Sequence, residues 1–91
     1  MAVFYKSAFR KFVKKQTRPF QLAIEDEIDR IKNNPSVGED KKGDLAAFKV
    51  SKFKFHHQQY LIAYEINGND ITIYMMGTHE NFYRDLKRYT E

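Results

Sequence analysis

The chain has 91 residues, 42% of them hydrophobic and 15% aromatic, with eight Phe, six Tyr, no Trp and no Cys. That length predicts one small domain over residues 1–91 and excludes a cofactor domain beside a substrate domain, while the apolar content excludes a disordered chain. The missing cysteines remove disulfides, thiolate zinc sites and thiol nucleophiles, and a formal net charge of +4 favours contact with polyanions.

No apolar run nears the ~18 residues of a membrane span, and Met1-Ala2-Val3-Phe4-Tyr5-Lys6 lacks the longer apolar region of a signal peptide. A soluble, cytoplasmic protein is expected. The distribution of charge says more than its total. Residues 1–18 carry Lys6, Arg10, Lys11, Lys14, Lys15 and Arg18 with no acid, and residues 46–57 add Lys49, Lys52 and Lys54, again with no acid. These two segments hold +9, so the remainder carries −5. A polarised potential follows, with a face able to receive phosphate.

Ala2 to Tyr5 is short and β-prone and predicts a strand. Ser7 is placed to cap a helix with Phe9, Phe12 and Val13 on one stripe, ending near Gln16-Thr17. The cations of that helix also read simply as its solvated side. Thr17 followed by Pro19 marks a second start. Phe20, Ile24, Ile28 and Ile31 then recur at i, i+4, i+8 and i+11 up to Asn33-Asn34-Pro35, which predicts an amphipathic helix and hence a helical hairpin.

Residues 35–44 read as a polar loop. From Ala46 to Phe55 the period becomes two: Phe48, Val50, Lys52 and Lys54 share one face, and Lys49, Ser51, Phe53 and Phe55 the other. The apolar character therefore changes faces midway, unless a bulge intervenes. His56-His57-Gln58-Gln59 reads as a turn. Tyr60 to Ile66 is apolar on nearly both faces, as in a central strand. Asn67-Gly68-Asn69-Asp70 is a hairpin turn leading into Ile71–Met76. Gly77 ends that strand, Thr78 or His79 caps, and Phe82, Leu86 and Tyr89 form a short closing helix. The predicted order is βααβββα, an α+β fold.

Neither a Gly-rich phosphate loop, nor a His-x-Glu-x-x-His pair, nor a Ser-centred elbow is present. No cofactor and no metal are expected, since the adjacent His56 and His57 point to opposite faces if extended. Cleavage of RNA through its own 2′-hydroxyl needs neither a protein nucleophile nor a metal. It needs a base, an acid, and cations on the phosphate. Lys52 and Lys54 supply cations. His79 supplies the side-chain type suited to proton transfer near neutrality, and Tyr83, four residues on, would lie one helical turn away to hydrogen-bond or stack on a base. Each also has a plainer reading: solvated strand lysines, a cap or surface histidine, a packing tyrosine.

The order of elements, with Lys42-Gly43-Asp44-Leu45, Phe48-Lys49-Val50, Tyr60-Leu61-Ile62-Ala63-Tyr64-Glu65-Ile66 and Gly77-Thr78-His79-Glu80-Asn81-Phe82-Tyr83, resembles the RelE/ParE superfamily of bacterial toxins. The resemblance implies a four-stranded antiparallel sheet packed on the helical hairpin, with a short C-terminal helix. It further implies metal-independent mRNA cleavage on the ribosome for the RelE and YafQ branches, and inhibition of DNA gyrase without nuclease activity for the ParE branch. By that resemblance Lys52 and Lys54 match the RelE lysine pair, His79 the YafQ histidine, and Tyr83 the aromatic position that follows it. Expected partners are the ribosome and mRNA, together with a cognate antitoxin bearing a DNA-binding head and an acidic tail.

The chain departs from the family at Leu61 and Met75, where arginines stand in many members, and at Gln59-Tyr60, where YafQ-like toxins carry Asp before an aromatic. The expected replacements for the missing cation are Arg84, Lys49, His56 or His57. Arg10, Lys11 and Lys14 are expected to meet ribosomal RNA. A ribosome-dependent endoribonuclease is the leading expectation, a gyrase-binding toxin the alternative, and an inactive remnant that still binds antitoxin a third reading.

Overall fold

A computed structural model describes residues 1–90. Strand β1 (Val3–Tyr5) leads into helices α1 (Ser7–Lys14) and α2 (Arg18–Asn33), then β2 (Glu39–Asp40), β3 (Lys49–Phe55), β4 (Gln58–Asn67) and β5 (Asp70–Gly77), and helix α3 (Phe82–Leu86). Short 3-10 turns occupy Pro35–Val37, Gly43–Leu45 and Lys87–Thr90. The α+β order is as expected, but the sheet has five strands in the order β1-β5-β4-β3-β2. Four-stranded and wholly antiparallel are both corrected. Residues 35–44 contribute β2, paired through Glu39 with Val50 and Asp40 with Lys49, and β1 runs parallel to β5. A two-residue edge strand leaves no alternation to read, and nothing local fixes the direction of β1.

The second helix begins as predicted, with the Thr17 hydroxyl accepting from the Phe20 N–H and Pro19 in its first turn. The first does not: Ser7 is already helical, the cap position is Lys6, and its side chain makes no cap bond. Phe20, Ile24, Ile28 and Ile31 are all buried against Ile62, Tyr64, Ile71, Ile73 and Met76, joined by Phe9 from α1. Phe48, Val50, Leu61 and Ala63 form a second, smaller cluster on the other face, covered by Phe82 and Leu86 of α3. Because apolar layers cover both faces, Leu61 through Tyr64 are buried without alternation.

The change of apolar face along β3 is real. Pairing with β4 is continuous from Lys49 and Tyr64 to Phe55 and Gln58, without a bulge. Phe53 and Phe55 pack toward the helical hairpin, while Lys52 and Lys54 stand exposed beyond the reach of α3. The strand begins at Lys49 rather than Ala46, and Gln58 and Gln59 belong to β4, so the turn is His56-His57 alone. Both histidines have positive φ, 49° and 68°, as a two-residue I′ hairpin requires. The register instead shifts between β4 and β5, where Ala63 faces Met75 but Tyr64 faces Ile73. Tyr74 is the extra residue, and both it and Met75 reach the second cluster.

The last helix starts later than expected. Asn81, with a left-handed φ of 64°, precedes it, in place of Thr78 or His79, and contributes no side-chain cap. Asn tolerates that conformation better than most residues. It reverses the chain so that Phe82 and Leu86 turn down onto the sheet, while Tyr89 falls in the final 3-10 turn and stays exposed.

Candidate functional site

The face of the sheet opposite the helical hairpin carries the cluster of interest. Paired residues share a face, so Glu39 lies with Val50, and Lys52 and Lys54 follow at two-residue steps, about 7 Å apart along the strand. Lys41, two residues beyond Glu39, is tied to the residue just before that strand by its N–H donating to the Phe48 carbonyl. Glu39 receives two ammonium groups: Lys41 Nζ at 2.9 Å from Oε1 and Lys52 Nζ at 3.7 Å from Oε2. Lys41 Nζ also lies 4.9 Å from the centre of the Tyr83 ring, within cation–π range. The Tyr83 ring meets His79 edge-on at 5.6 Å. Lys52, Glu39, Lys41, Tyr83 and His79 thus form one continuous surface, with Lys54 beside it.

Electrostatics follow from this geometry. Lys41, and after it Lys52, hold the Glu39 carboxyl below the usual glutamate range. The Glu39 carboxylate, and after it the Tyr83 phenol, raise the Lys41 ammonium above the usual lysine range. Both stay ionised at neutral pH. Three lysines against one carboxylate leave the patch cationic. Lys54 forms no ion pair among the described residues.

A buried tyrosine sets the position of β2. The Tyr64 hydroxyl accepts the Gly38 N–H at 2.9 Å and donates to the Pro35 carbonyl, and burial raises its pKa. A Cβ on Gly38 would fall within 2.8 Å of Tyr64 Cε1. Only glycine lets the chain pass so close to a side chain that is fully buried.

Of the residues singled out in the sequence, Lys52, Lys54, His79 and Tyr83 come to this one side of the sheet. His79 and Tyr83 meet across a turn, closed by the Phe82 N–H on the His79 carbonyl, rather than along a helix. Lys49 points the other way and pairs with Asp40 at 2.6 Å. His56 stacks on Phe55 at 4.0 Å, beside Phe20 and Tyr60 in a cleft on the hairpin side. His57 is exposed at the turn. Arg84 is exposed on α3 and contacts Asp85. Arg10, Lys11 and Lys14 lie on α1, where Arg10 and Lys14 rim a groove of about 530 Å³ between the helices, floored by Phe9, Ile24 and Ile28. The positions where the family resemblance expects arginine, Leu61 and Met75, instead pack beneath α3. No cluster of three or more His, Asp or Glu suited to a metal occurs among the described residues.

Glu39 and Lys41 escaped sequence reading. They sit in an aperiodic polar stretch, and the contacts that place them come from Val50, Lys52, Tyr64 and Tyr83, distant in sequence.

A helical hairpin on one face of a mostly antiparallel sheet, with a short helix on the other, is a RelE-like fold. The chain belongs to the ParE-like toxins of type II bacterial toxin–antitoxin systems, whose family model matches residues 3–87. Solved structures agree on the fold. One chain of the intact Escherichia coli RelBE toxin–antitoxin complex is similar with a TM-score of 0.68 and 12% identity, over 87% of this chain and 96% of that one. The isolated E. coli RelE toxin gives 0.65 and 13%, over 97% of each. The solution structure of the conserved hypothetical protein HP0894 from Helicobacter pylori gives 0.53 and 14%, over 87% and 94%. Among curated proteins none matches significantly.

Proposed function

We propose that this type II toxin is a ribosome-dependent mRNA endoribonuclease that cleaves through the 2′-hydroxyl of its substrate. The observation that carries the reading is the meeting of Lys52, Lys54, Tyr83 and His79 on one open face of the sheet, with Tyr83 and His79 in ring contact. In the reaction, the 2′-oxygen loses its proton and attacks the adjacent phosphorus. The bond to the 5′-oxygen breaks, leaving a 2′,3′-cyclic phosphate and a 5′-hydroxyl. His79 transfers a proton at one of the two oxygens, Lys52 and Lys54 stabilise the charge that grows on the phosphate, and Tyr83 orients the nucleotide by stacking or hydrogen bonding. The ribosome holds the message, and the cations of α1 meet ribosomal RNA. A cognate antitoxin with an acidic segment restrains the toxin, as the RelBE pairing suggests.

General acid–base catalysis contributes about 10²- to 10⁴-fold, so His79→Ala is expected to slow mRNA cleavage by that factor. Lys54→Ala is expected to weaken it as well, and both are expected to relieve growth arrest when the toxin is expressed without antitoxin. Arrest and cleavage undiminished in both variants overturn the assignment. One observation favours the alternative of gyrase inhibition: apolar Leu61 and Met75 lie packed where the resemblance expects arginines. Supercoiling by purified gyrase decides, being untouched on the nuclease reading and inhibited on the other.

A further inference from the structure

The Glu39 carboxylate occupies an unusual position for a surface acid. Each of its oxygens faces a different lysine, Lys41 at 2.9 Å and Lys52 at 3.7 Å. The lysine partners differ in freedom. Lys41 has a side chain only 17% exposed, held over the Tyr83 ring, whereas Glu39 is 60% exposed on a two-residue edge strand. Lys41 is therefore built into the fold, whereas Glu39 and Lys52, the latter 46% exposed, stand on the rim. Two ammoniums converging on two oxygens of one central atom is also how non-bridging phosphate oxygens are held.

We propose that Lys41 and Lys52 form a binding site for a phosphodiester of single-stranded RNA, which Glu39 fills in the free protein and yields when RNA binds. The identity of the ligand rests on the nuclease reading above. RNA is favoured over a carboxylate from a protein partner because the aromatic pair Tyr83–His79 adjoins the site and offers a base a surface on which to stack. Exchange is feasible because an exposed ion pair is weak and screened by solvent, and a phosphate entering here meets both ammoniums with Lys54 beside them. Glu39 thereby screens the patch until a stronger anion arrives, and Lys41 supplies the cation that Leu61 and Met75 do not.

The test uses the whole chain and an all-2′-O-methyl RNA oligonucleotide, which has no free 2′-hydroxyl to react, followed by fluorescence anisotropy at one fixed low salt concentration. Glu39→Gln keeps the shape of the side chain and removes the competitor, and is expected to tighten binding by about twofold to fivefold. Lys41→Met keeps an unbranched stem against Tyr83; it is expected to weaken binding and, combined with Glu39→Gln, to abolish that gain. Lys52→Met provides the same test from the other ammonium, so a folding defect in one variant leaves the outcome readable. Equal affinity of the wild type and Glu39→Gln overturns the proposal, as does a gain that survives loss of either lysine. A glutamate-rich peptide whose binding responds to Glu39→Gln while the oligonucleotide's does not overturns it in favour of a protein carboxylate. The two readings fail separately: these affinities can hold with no mRNA cleaved, and cleavage can hold with affinities indifferent to Glu39 and Lys41.

Discussion

Glu39 and Lys41 illustrate how a pair of charges becomes readable only through its neighbours. Because Lys41 lowers the Glu39 pKa, the ion pair contributes at pH values above the ordinary glutamate value of 4.5, and its contribution is lost as pH falls through the depressed folded value. The raised pKa of Lys41 works in the opposite sense, so that its contribution is lost only as pH rises through a value above the ordinary 10.5. The pair is therefore intact throughout the neutral range. Carbon-13 NMR titration of the Glu39 carboxyl is expected to give a midpoint below 4.5, and Lys41→Met to move it back upward. A wild-type midpoint at or above the ordinary value contradicts the contact. His79 and Tyr83 are different at this scale: their spacing alone marks them as neighbours, although a turn rather than a helix brings them together.

Among elements, β2 is the one whose position matters most to the site and is least visible in the chain. Its two residues pair with β3, and its entry is fixed by Tyr64, which lies 26 residues from Gly38. Gly38→Ala is expected to cost about 1–3 kcal/mol by urea unfolding, the range for overpacking a filled core, because the fully buried Tyr64 has no room to yield. The same change is expected to speed hydrogen exchange at the Lys41 amide, which bonds to Phe48. Unchanged stability and exchange would show that the strand is held some other way. By contrast α2, with four apolar residues on one stripe, and β4, with a run buried on both faces, were legible because periodicity and length carry their own signal. Lys52 and Lys54 were legible for the same reason, since strand alternation alone gives their face. What periodicity does not carry is pairing at a distance. Hence β2, the parallel direction of β1, the bulge at Tyr74 and the left-handed Asn81 all emerged only from the fold.

Across the whole molecule, the two acid-free segments of the sequence do not merge into one basic face. Arg10, Lys11 and Lys14 stay with α1 on the side of the helical hairpin, Arg10 and Lys14 at the groove floored by Phe9, Ile24 and Ile28. Lys52 and Lys54 stand on the opposite side with Lys41 and Tyr83. The sheet separates the cations of α1 from Lys52 and Lys54, so that on the nuclease reading proposed above one surface meets the large polyanion and the other acts on the phosphodiester. On that reading its small size is no obstacle, because the substrate would supply the nucleophile. The chemistry of the ends reports on this most directly. With purified toxin and ribosomes programmed with a defined message, cleavage is expected to leave 2′,3′-cyclic phosphate and 5′-hydroxyl termini, and to stop when the nucleotide at the cut carries a 2′-O-methyl group. An intact message, or ends bearing 3′-hydroxyl and 5′-phosphate, would contradict the mechanism assigned to Lys52, Lys54, Tyr83 and His79.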